Sequence, residues 1–356
     1  MSADASLLTH EARKPSSQRK IRAPFALDES MCFYSPQENV DSLDHPRVAA
    51  WIDFVSKKWA PERDAQERPR IALLIPCCKY KPYPVSREHR AINHALLAAG
   101  WRPTGGVAVP EALLAVLDEG EDPDVLDLSP WEKDGVVLDR FVVSEPLGIV
   151  PYPLAYEWAG AQSPATSYDD PGLFEARGTS VSPEHPDFSA TPGVGNAWKW
   201  GPSERQSYVV MHNRMAEVIA EVLTRVESRY ASFGAWLSPG LTHRSFMAGS
   251  ARRDEDNLPH ARRGVDDVEL ALVGVGDLKA PEVTMMPTKG QLETAREQLA
   301  VRLAAQGRSH TPGAVRAIFA RGDGHDTPLG LPEALKVLTN WLDDSADAAR
   351  QQGASA

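Results

Sequence analysis

The sequence predicts an α/β fold, with a mainly parallel sheet flanked by helices and a smaller helical C-terminal region. Three observations carry this reading. Ile71-Ala72-Leu73-Leu74-Ile75 is a short continuous apolar run closed by Pro76, the pattern of a strand buried on both faces. A helical stretch from Ser86 to Ala99, a break at Gly100 and a second strand pattern from Gly135 to Val143 follow. Strand, helix, strand in that order is a crossover within a parallel sheet. The third observation is a long amphipathic helix opening at Gly201-Pro202 and running to about Tyr230. Its apolar stripe is Tyr208, Met211, Met215, Val218, Ile219, Val222 and Val226.

The other elements follow in chain order. Residues 1–40 read as a flexible tail, because residues 1 to about 30 are polar, lack a 3.6 or 2.0 period and carry the basic run Arg13, Lys14, Arg19, Lys20 and Arg22. From Asp44 to Trp59, Val48, Trp51, Ile52, Val55 and Trp59 share one helical face. A charged linker, Pro61 to Pro69, delivers the first strand. Residues 159–201 are dense in Pro, Ser, Gly and Thr, the composition of a lid or an insertion. Val268 to Val275 reads as a third strand, and Gln291 to Gln306, Pro312 to Ala320 and Pro332 to Leu342 read as short helices. The resulting division is a tail (1–40), an α/β core (41–245) with an insertion near 159–200, and a mostly helical C-terminal region (246–356).

Composition narrows the classes. A chain of 356 residues holds one large domain or two modest ones. No apolar run approaches the roughly 18–20 residues that span a bilayer, and no signal-peptide segment opens the chain, so no membrane partner is expected. Three cysteines, two of them adjacent, exclude a disulfide framework and favour a reducing cytoplasm. The net charge of −11 argues against direct nucleic-acid binding by this chain alone.

Chemistry concentrates in Pro76-Cys77-Cys78-Lys79-Tyr80-Lys81-Pro82-Tyr83-Pro84-Val85-Ser86-Arg87-Glu88-His89. Ligands of open α/β sheets bind at the carboxyl ends of strands, which is where this segment falls. Ser86 sits at a helix N-cap position with His89 three residues on. Amides of a helix N-terminus, two lysines and a histidine would lower the pKa of a nearby thiol and make a nucleophile. On composition alone, both cysteines also read as small buried fillers. His212 and His185 read as satisfied histidines rather than ligands.

Metal and cofactor signals are weak. Cys77 and Cys78 are adjacent, not two apart, so the usual structural zinc spacing is absent, although Cys77, His89 and a distant carboxylate could meet in space. Gly274-Val275-Gly276 lacks the third glycine of a dinucleotide fingerprint, and no P-loop is present. No metal and no cofactor are expected.

The segment fills every fixed position of the pattern P-C-x3-K-P-Y-x2-S-x2-H and so resembles archaeosine synthase, an amidotransferase relative of tRNA-guanine transglycosylase. Ser144-Glu145-Pro146-Leu147-Gly148-Ile149-Val150-Pro151 is similar to a second family block, Trp200-Gly201-Pro202-Ser203-Glu204 resembles its helix start, and Tyr168-Asp169 resembles a Tyr-Asp pair. The likeness spans about Ser42 to Gly240; a transglycosylase barrel and a PUA-like RNA-binding module are not recognised. Tyr152 stands where family members tend to carry Arg.

The resemblance implies work on the 7-substituent of a 7-deazaguanine, a nitrile of the preQ0 type. Cys77 would attack the nitrile carbon to form a thioimide, His89 would shuttle protons, and Lys81 would stabilise negative charge or orient the incoming amine. Asp169 or Glu204 would accept the amine's protons. Pro76, Tyr83, Ser86, Ser144, Pro146, Leu147 and Gly148 would line the substrate site. Expected partners are a 7-deazaguanine base or nucleoside, an amine donor such as lysine, glutamine or ammonia, and a transglycosylase that handles the polynucleotide. Two alternatives stay open. One is a relative that hydrates or decarboxylates a 7-deazaguanine for DNA modification or a nucleoside product. The other is a non-catalytic deazaguanine-binding module.

Overall fold

Seven strands form the main sheet of the computed structural model, which describes residues 4–354 except 63, 65, 175–177, 196 and 326. They are β1 (Arg70–Pro76), β2 (Arg102–Pro103), β3 (Trp131–Lys133), β4 (Val136–Ser144), β5 (Gly148–Pro151), β6 (Ser232–Trp236) and β7 (Thr284–Met286). Their order is β7-β6-β1-β4-β3-β2, with β5 beside the far end of β4. The four strands from β7 to β4 are parallel; β3 and β5 run antiparallel to β4. The expected α/β class is therefore present.

The predicted crossover is also present. β1 pairs with β4 from Arg70↔Val137 to Pro76↔Val143, and the helix between them is α4 (Arg87–Ala98). Ile71 to Ile75 are fully buried at the centre of the sheet. β4 is buried throughout although it carries Asp139 and Arg140. Asp139 takes two hydrogen bonds from Arg70, at 2.7 and 2.9 Å. The Arg140 guanidinium donates to Asn93 Oδ1 and to the carbonyls of Asp127 and Ser129, and it stacks on Trp131 and Tyr152. Asp139 is thus charge-paired, whereas Arg140 rests on neutral acceptors and ring faces that offset only part of the cost of its burial.

Ten helices complete the described fold. Before α4 come α1 (His10–Gln18), α2 (Pro36–Asp41) and α3 (Pro46–Lys57); after it come α5 (Pro202–Val226), α6 (Thr242–Met247), α7 (Ser250–Asp256), α8 (Lys289–Ala305), α9 (Pro312–Ala320) and α10 (Pro332–Ala354). The predicted stripes of α3 and α5 are buried, with Trp59 just past the end of α3 and half-buried. α3 and α5 pack on each other and on β5, while α10 packs on α4 and along β1, β4 and β6. Gly234 of β6 leaves room for α10, since a Cβ there would lie 2.3 Å from the Trp341 ring.

Three expectations change. Of the expected tail, residues 1–3 lie outside the described residues and residues 4–40 are ordered: Thr9 caps α1, and Met31, Cys32, Phe33 and Tyr34 are buried. Their partner is the Pro- and Ser-rich stretch expected to be a lid. Asp28 N donates to Ser167 O (2.8 Å), Phe33 N to Asp169 O (2.9 Å), and Asp169 N returns to Met31 O (3.1 Å). Each stretch satisfies the other's backbone, which neither could do alone. The expected third strand, Val268 to Val275, shrinks to Glu269–Ala271, paired only with Ala261–Arg263 in a hairpin outside the main sheet. Its place in the sheet goes to β6 and β7, too short to announce themselves by period.

Candidate active site

Three parallel strands deliver three side chains to one edge. β1 ends at Pro76 and presents Cys77, whose N–H extends the ladder to Val143 O (2.9 Å). β4 ends at Ser144 and presents Glu145. β6 leads through a turn into α6, which carries His243 on its first turn. His243 Nε2 lies 3.2 Å from Cys77 Sγ and 3.1 Å from Glu145 Oε2, and the sulfur is 4.0 Å from the same carboxylate oxygen. The three ligand-type atoms all fall within 4.8 Å of one another.

Burial and pairing set the charges. Glu145 is 1% exposed and His243 5%. Burial alone would raise the Glu145 carboxyl, but the adjacent imidazolium and its hydrogen bond hold it below the usual carboxylate range. Burial alone would lower His243, yet the Cys77 sulfur and the Glu145 carboxylate push it well above its ordinary value. A protonated imidazole thus sits in hydrogen-bond reach of a half-buried sulfur. Glu145 Oε1 is buried without a hydrogen-bond partner.

The cluster opens on a cavity of about 250 Å³. Tyr80, Tyr168 and Phe174 give it aromatic walls, and Lys20, Lys81 and Asp169 line it as well. So does Asp170, whose Oδ1 accepts from Asn39 Nδ2 and Gly172 N, both at 2.8 Å, while Oδ2 is buried and unpartnered. Burial and the nearby Glu145 push the Asp170 carboxyl up to about 8. At the mouth the Arg22 guanidinium and the Lys79 ammonium stack on the Tyr80 ring, at 5.7 and 4.9 Å. The basic N-terminal run reaches this point because Arg22 N donates to Lys81 O and Lys81 N to Lys20 O.

No family model, curated protein or solved structure matches this chain. Its chemistry is therefore read from the geometry, residue by residue. Cys77 stands in the cavity as expected, and Pro76 and Ser86 line it, Ser86 also capping α4 by accepting from His89 N. Cys78 also borders the cavity and is half-buried, but its sulfur is turned towards the Tyr80 and Tyr83 carbonyls, away from His243, and burial pushes its thiol up to about 12. Lys81 is buried, with its ammonium donating to Cys78 O and lying 4.5 Å from the Tyr168 ring centroid. Tyr83 and Ser144, which do not line the cavity, form a buried hydroxyl network with Tyr168, which does.

The other expected roles do not survive the geometry. His89 is fully buried between Tyr83 and Tyr152; Nε2 donates to Pro76 O and Nδ1 accepts from Tyr152 Oη, both at 2.9 Å. Burial pushes it down to about 3, so it is a neutral brace for the strand end and carries no proton to the cavity. Asp169 Oδ2 accepts from Ser17 Oγ and the Lys20 ammonium, both at 2.6 Å, so that oxygen is already engaged. Glu204 caps α5, accepting from Gly201 N (2.9 Å), Ser189 N (2.8 Å) and Ala190 N (3.1 Å), and does not line the cavity. Pro146, Leu147 and Gly148 are buried packing residues. Gly148 has φ +73°, and a Cβ there would lie 2.5 Å from Val218 of α5.

His243, Glu145, Asp170 and Lys20 were missed. Glu145 follows a strand end as Cys77 does, which is a usable signal, and Asp170 adjoins a residue already singled out. His243 has no such signal, because it depends on β6 lying beside β1. Its place as the histidine partner had been given to His89. His212 and His185 are satisfied as expected, by Ser245 Oγ (2.8 Å) and Asp41 Oδ2 (2.9 Å). Among the described residues, no helix is long and apolar enough to cross a membrane.

Proposed function

We propose that this chain is an enzyme that modifies the nitrile of a 7-cyano-7-deazaguanine through a covalent thioimide on Cys77. One observation carries the reading: Cys77 Sγ lies 3.2 Å from His243 Nε2 at the wall of a cavity sized for one heterocycle. At about 250 Å³ the cavity is below the roughly 300–1,000 Å³ of drug-sized pockets, which suits a bicyclic base better than a whole nucleotide. Its aromatic walls suit a flat ring, and the carboxyl groups of Glu145 and Asp170 suit the N–H edge of a guanine-type base.

The step balances without an oxidant or reductant. The sulfur forms a bond to the nitrile carbon, the triple bond becomes a C=N double bond, and the His243 Nε2 proton goes to the nitrogen. A neutral amine then attacks the same carbon, and the C–S bond breaks as the amidine leaves. The amine's surplus proton returns to His243, with Glu145 holding the ring's charge. Lys81 lies close enough to the cavity to steady a carboxylate on the amine. With water in place of the amine the product is an amide.

Intact-mass analysis of the protein incubated with 7-cyano-7-deazaguanine tests this directly. An adduct of the heterocycle's mass, absent in Cys77→Ala, supports the reading. A product formed only with lysine, glutamine or ammonia supports amide-group transfer, and one formed with water alone supports hydration. Tight binding with no mass change on any form of the substrate leaves only the binding module and overturns the enzyme reading.

A second reading concerns how the base arrives. Arg22 and Lys79 are exposed at the mouth and have no carboxylate partner among the described residues. This favours a phosphate-bearing substrate, with a transglycosylase-type partner supplying the base to the polymer. Binding of a deazaguanine oligonucleotide should then weaken steeply with salt, and less steeply in Arg22→Ala/Lys79→Ala.

A further inference from the structure

We propose that Cys77, His243 and Glu145 also form a three-ligand site for a zinc-class divalent cation, with its fourth position open to the cavity. Among the described residues this is the only His, Cys, Asp and Glu group of at least three that meets metal-ligand spacing. A zinc ion bound at about 2.3 Å to sulfur, about 2.05 Å to nitrogen and about 2.1 Å to oxygen with tetrahedral angles separates its ligands by about 3.4–3.6 Å. The three edges here are 3.2, 3.1 and 4.0 Å, so shifts of a few tenths of an ångström admit the ion.

A second observation points the same way. Glu145 is 1% exposed, and its Oε1 has no hydrogen-bond partner. A buried carboxylate with one oxygen left bare is costly, and a cation held by its other oxygen, Oε2, offsets part of that cost by neutralising the group's charge. The donor set decides the class of ion. One sulfur, one imidazole nitrogen and one carboxylate suit zinc, cobalt or a similar ion, whereas magnesium and calcium ask for oxygen alone. Three protein ligands leave the fourth position open to the cavity, where water or another small ligand would complete the tetrahedron.

The site is stiff enough to act as a chelate. Cys77 and Glu145 follow adjacent strands of the central sheet, and Cys77 N is fixed to Val143 O. The His243 ring is held between Phe246 and Phe174, with centroids at 6.2 and 6.3 Å. The half-buried sulfur faces the cavity, which gives the ion a way in. One consequence rests on the proposed function. The ion takes the sulfur electron pair that would attack the nitrile, so metal and substrate compete for Cys77, and the loaded protein is the resting form.

The test uses the full chain freed of metal with a chelator and titrated with Co²⁺, without substrate. One equivalent should produce a sulfur-to-cobalt charge-transfer band and the intense visible bands of a four-coordinate ion. Cys77→Ser should abolish the charge-transfer band, Cys78→Ser should keep it, and Glu145→Gln should weaken binding by about tenfold or more. No stoichiometric band, or a band that persists in Cys77→Ser, overturns the proposal. Should Cys77→Ser fail to fold, alkylation of the wild-type chain decides. Zn²⁺ should shield Cys77 from iodoacetamide, and Cys77 labelled at an unchanged rate overturns the site. The thioimide measurement on metal-free protein is separate, so loss of the adduct strikes the proposed function and leaves the metal site standing.

Discussion

Replacing His89 by glutamine separates a brace from a proton shuttle. Glutamine keeps an N–H donor for Pro76 O but cannot titrate. In the wild type, the buried His89 is held at about 3, against 6.5 for a free histidine. Between those values the unfolded chain binds a proton that the folded chain refuses, so stability rises with pH and is lost as pH falls. Integrating from pH 7 to pH 5 gives a loss of about 2 kcal/mol from this one ring. Asp170 acts with the opposite sign: a carboxyl raised to about 8 in the folded state gains stability as pH falls. The raw pH profile therefore mixes several groups. The difference between wild type and His89→Gln cancels those that both proteins share. Urea unfolding at pH 7 and pH 5 should show wild type losing about 2 kcal/mol more than the variant over that interval. Equal losses in the two proteins would refute the buried neutral ring and return His89 to the list of groups able to shuttle protons.

The remaining predictions concern the cluster and its supports. His243→Gln and Glu145→Gln should each lower turnover on a cyano-deazaguanine by about 10²–10⁴-fold with an unchanged circular dichroism spectrum; near-normal rates would remove His243 as the acid. Gly148→Ala puts a Cβ 2.5 Å from Val218 at a positive φ and should cost about 1–3 kcal/mol in thermal unfolding, with little change in substrate affinity per folded molecule. Glu204→Ala should cost about 0.5–2 kcal/mol by uncapping α5 while leaving the rate of amine addition per folded molecule unchanged, as a cap would and a base for the amine would not. Asp170→Asn should gain stability relative to wild type as pH rises from 5 to 8, because only the wild type must then carry a carboxyl that burial keeps protonated up to about 8.

Local pattern alone determined a good part of this protein. The run Ile71 to Ile75, the stripes of α3 and α5 and the crossover through α4 are each set by neighbours within a few turns, where burial periodicity is strong. The rule that ligands sit at strand carboxyl ends puts Cys77, directly after β1, where the cavity opens. Tertiary structure decided what lies opposite it. His89 and His243 are equally polar in sequence, but one packs between two tyrosine rings and the other meets the sulfur across the sheet. β6 is five residues with a central glycine, too short to show a period, so the histidine it positions was invisible. The order of residues 4–40 is hidden for a related reason: the groups that hold them, such as the Lys20–Asp169 pair 149 residues apart, are long-range contacts that no local window contains. Local sequence sets which faces must be buried, whereas the side chain's partner across the fold sets its protonation and hence its chemistry.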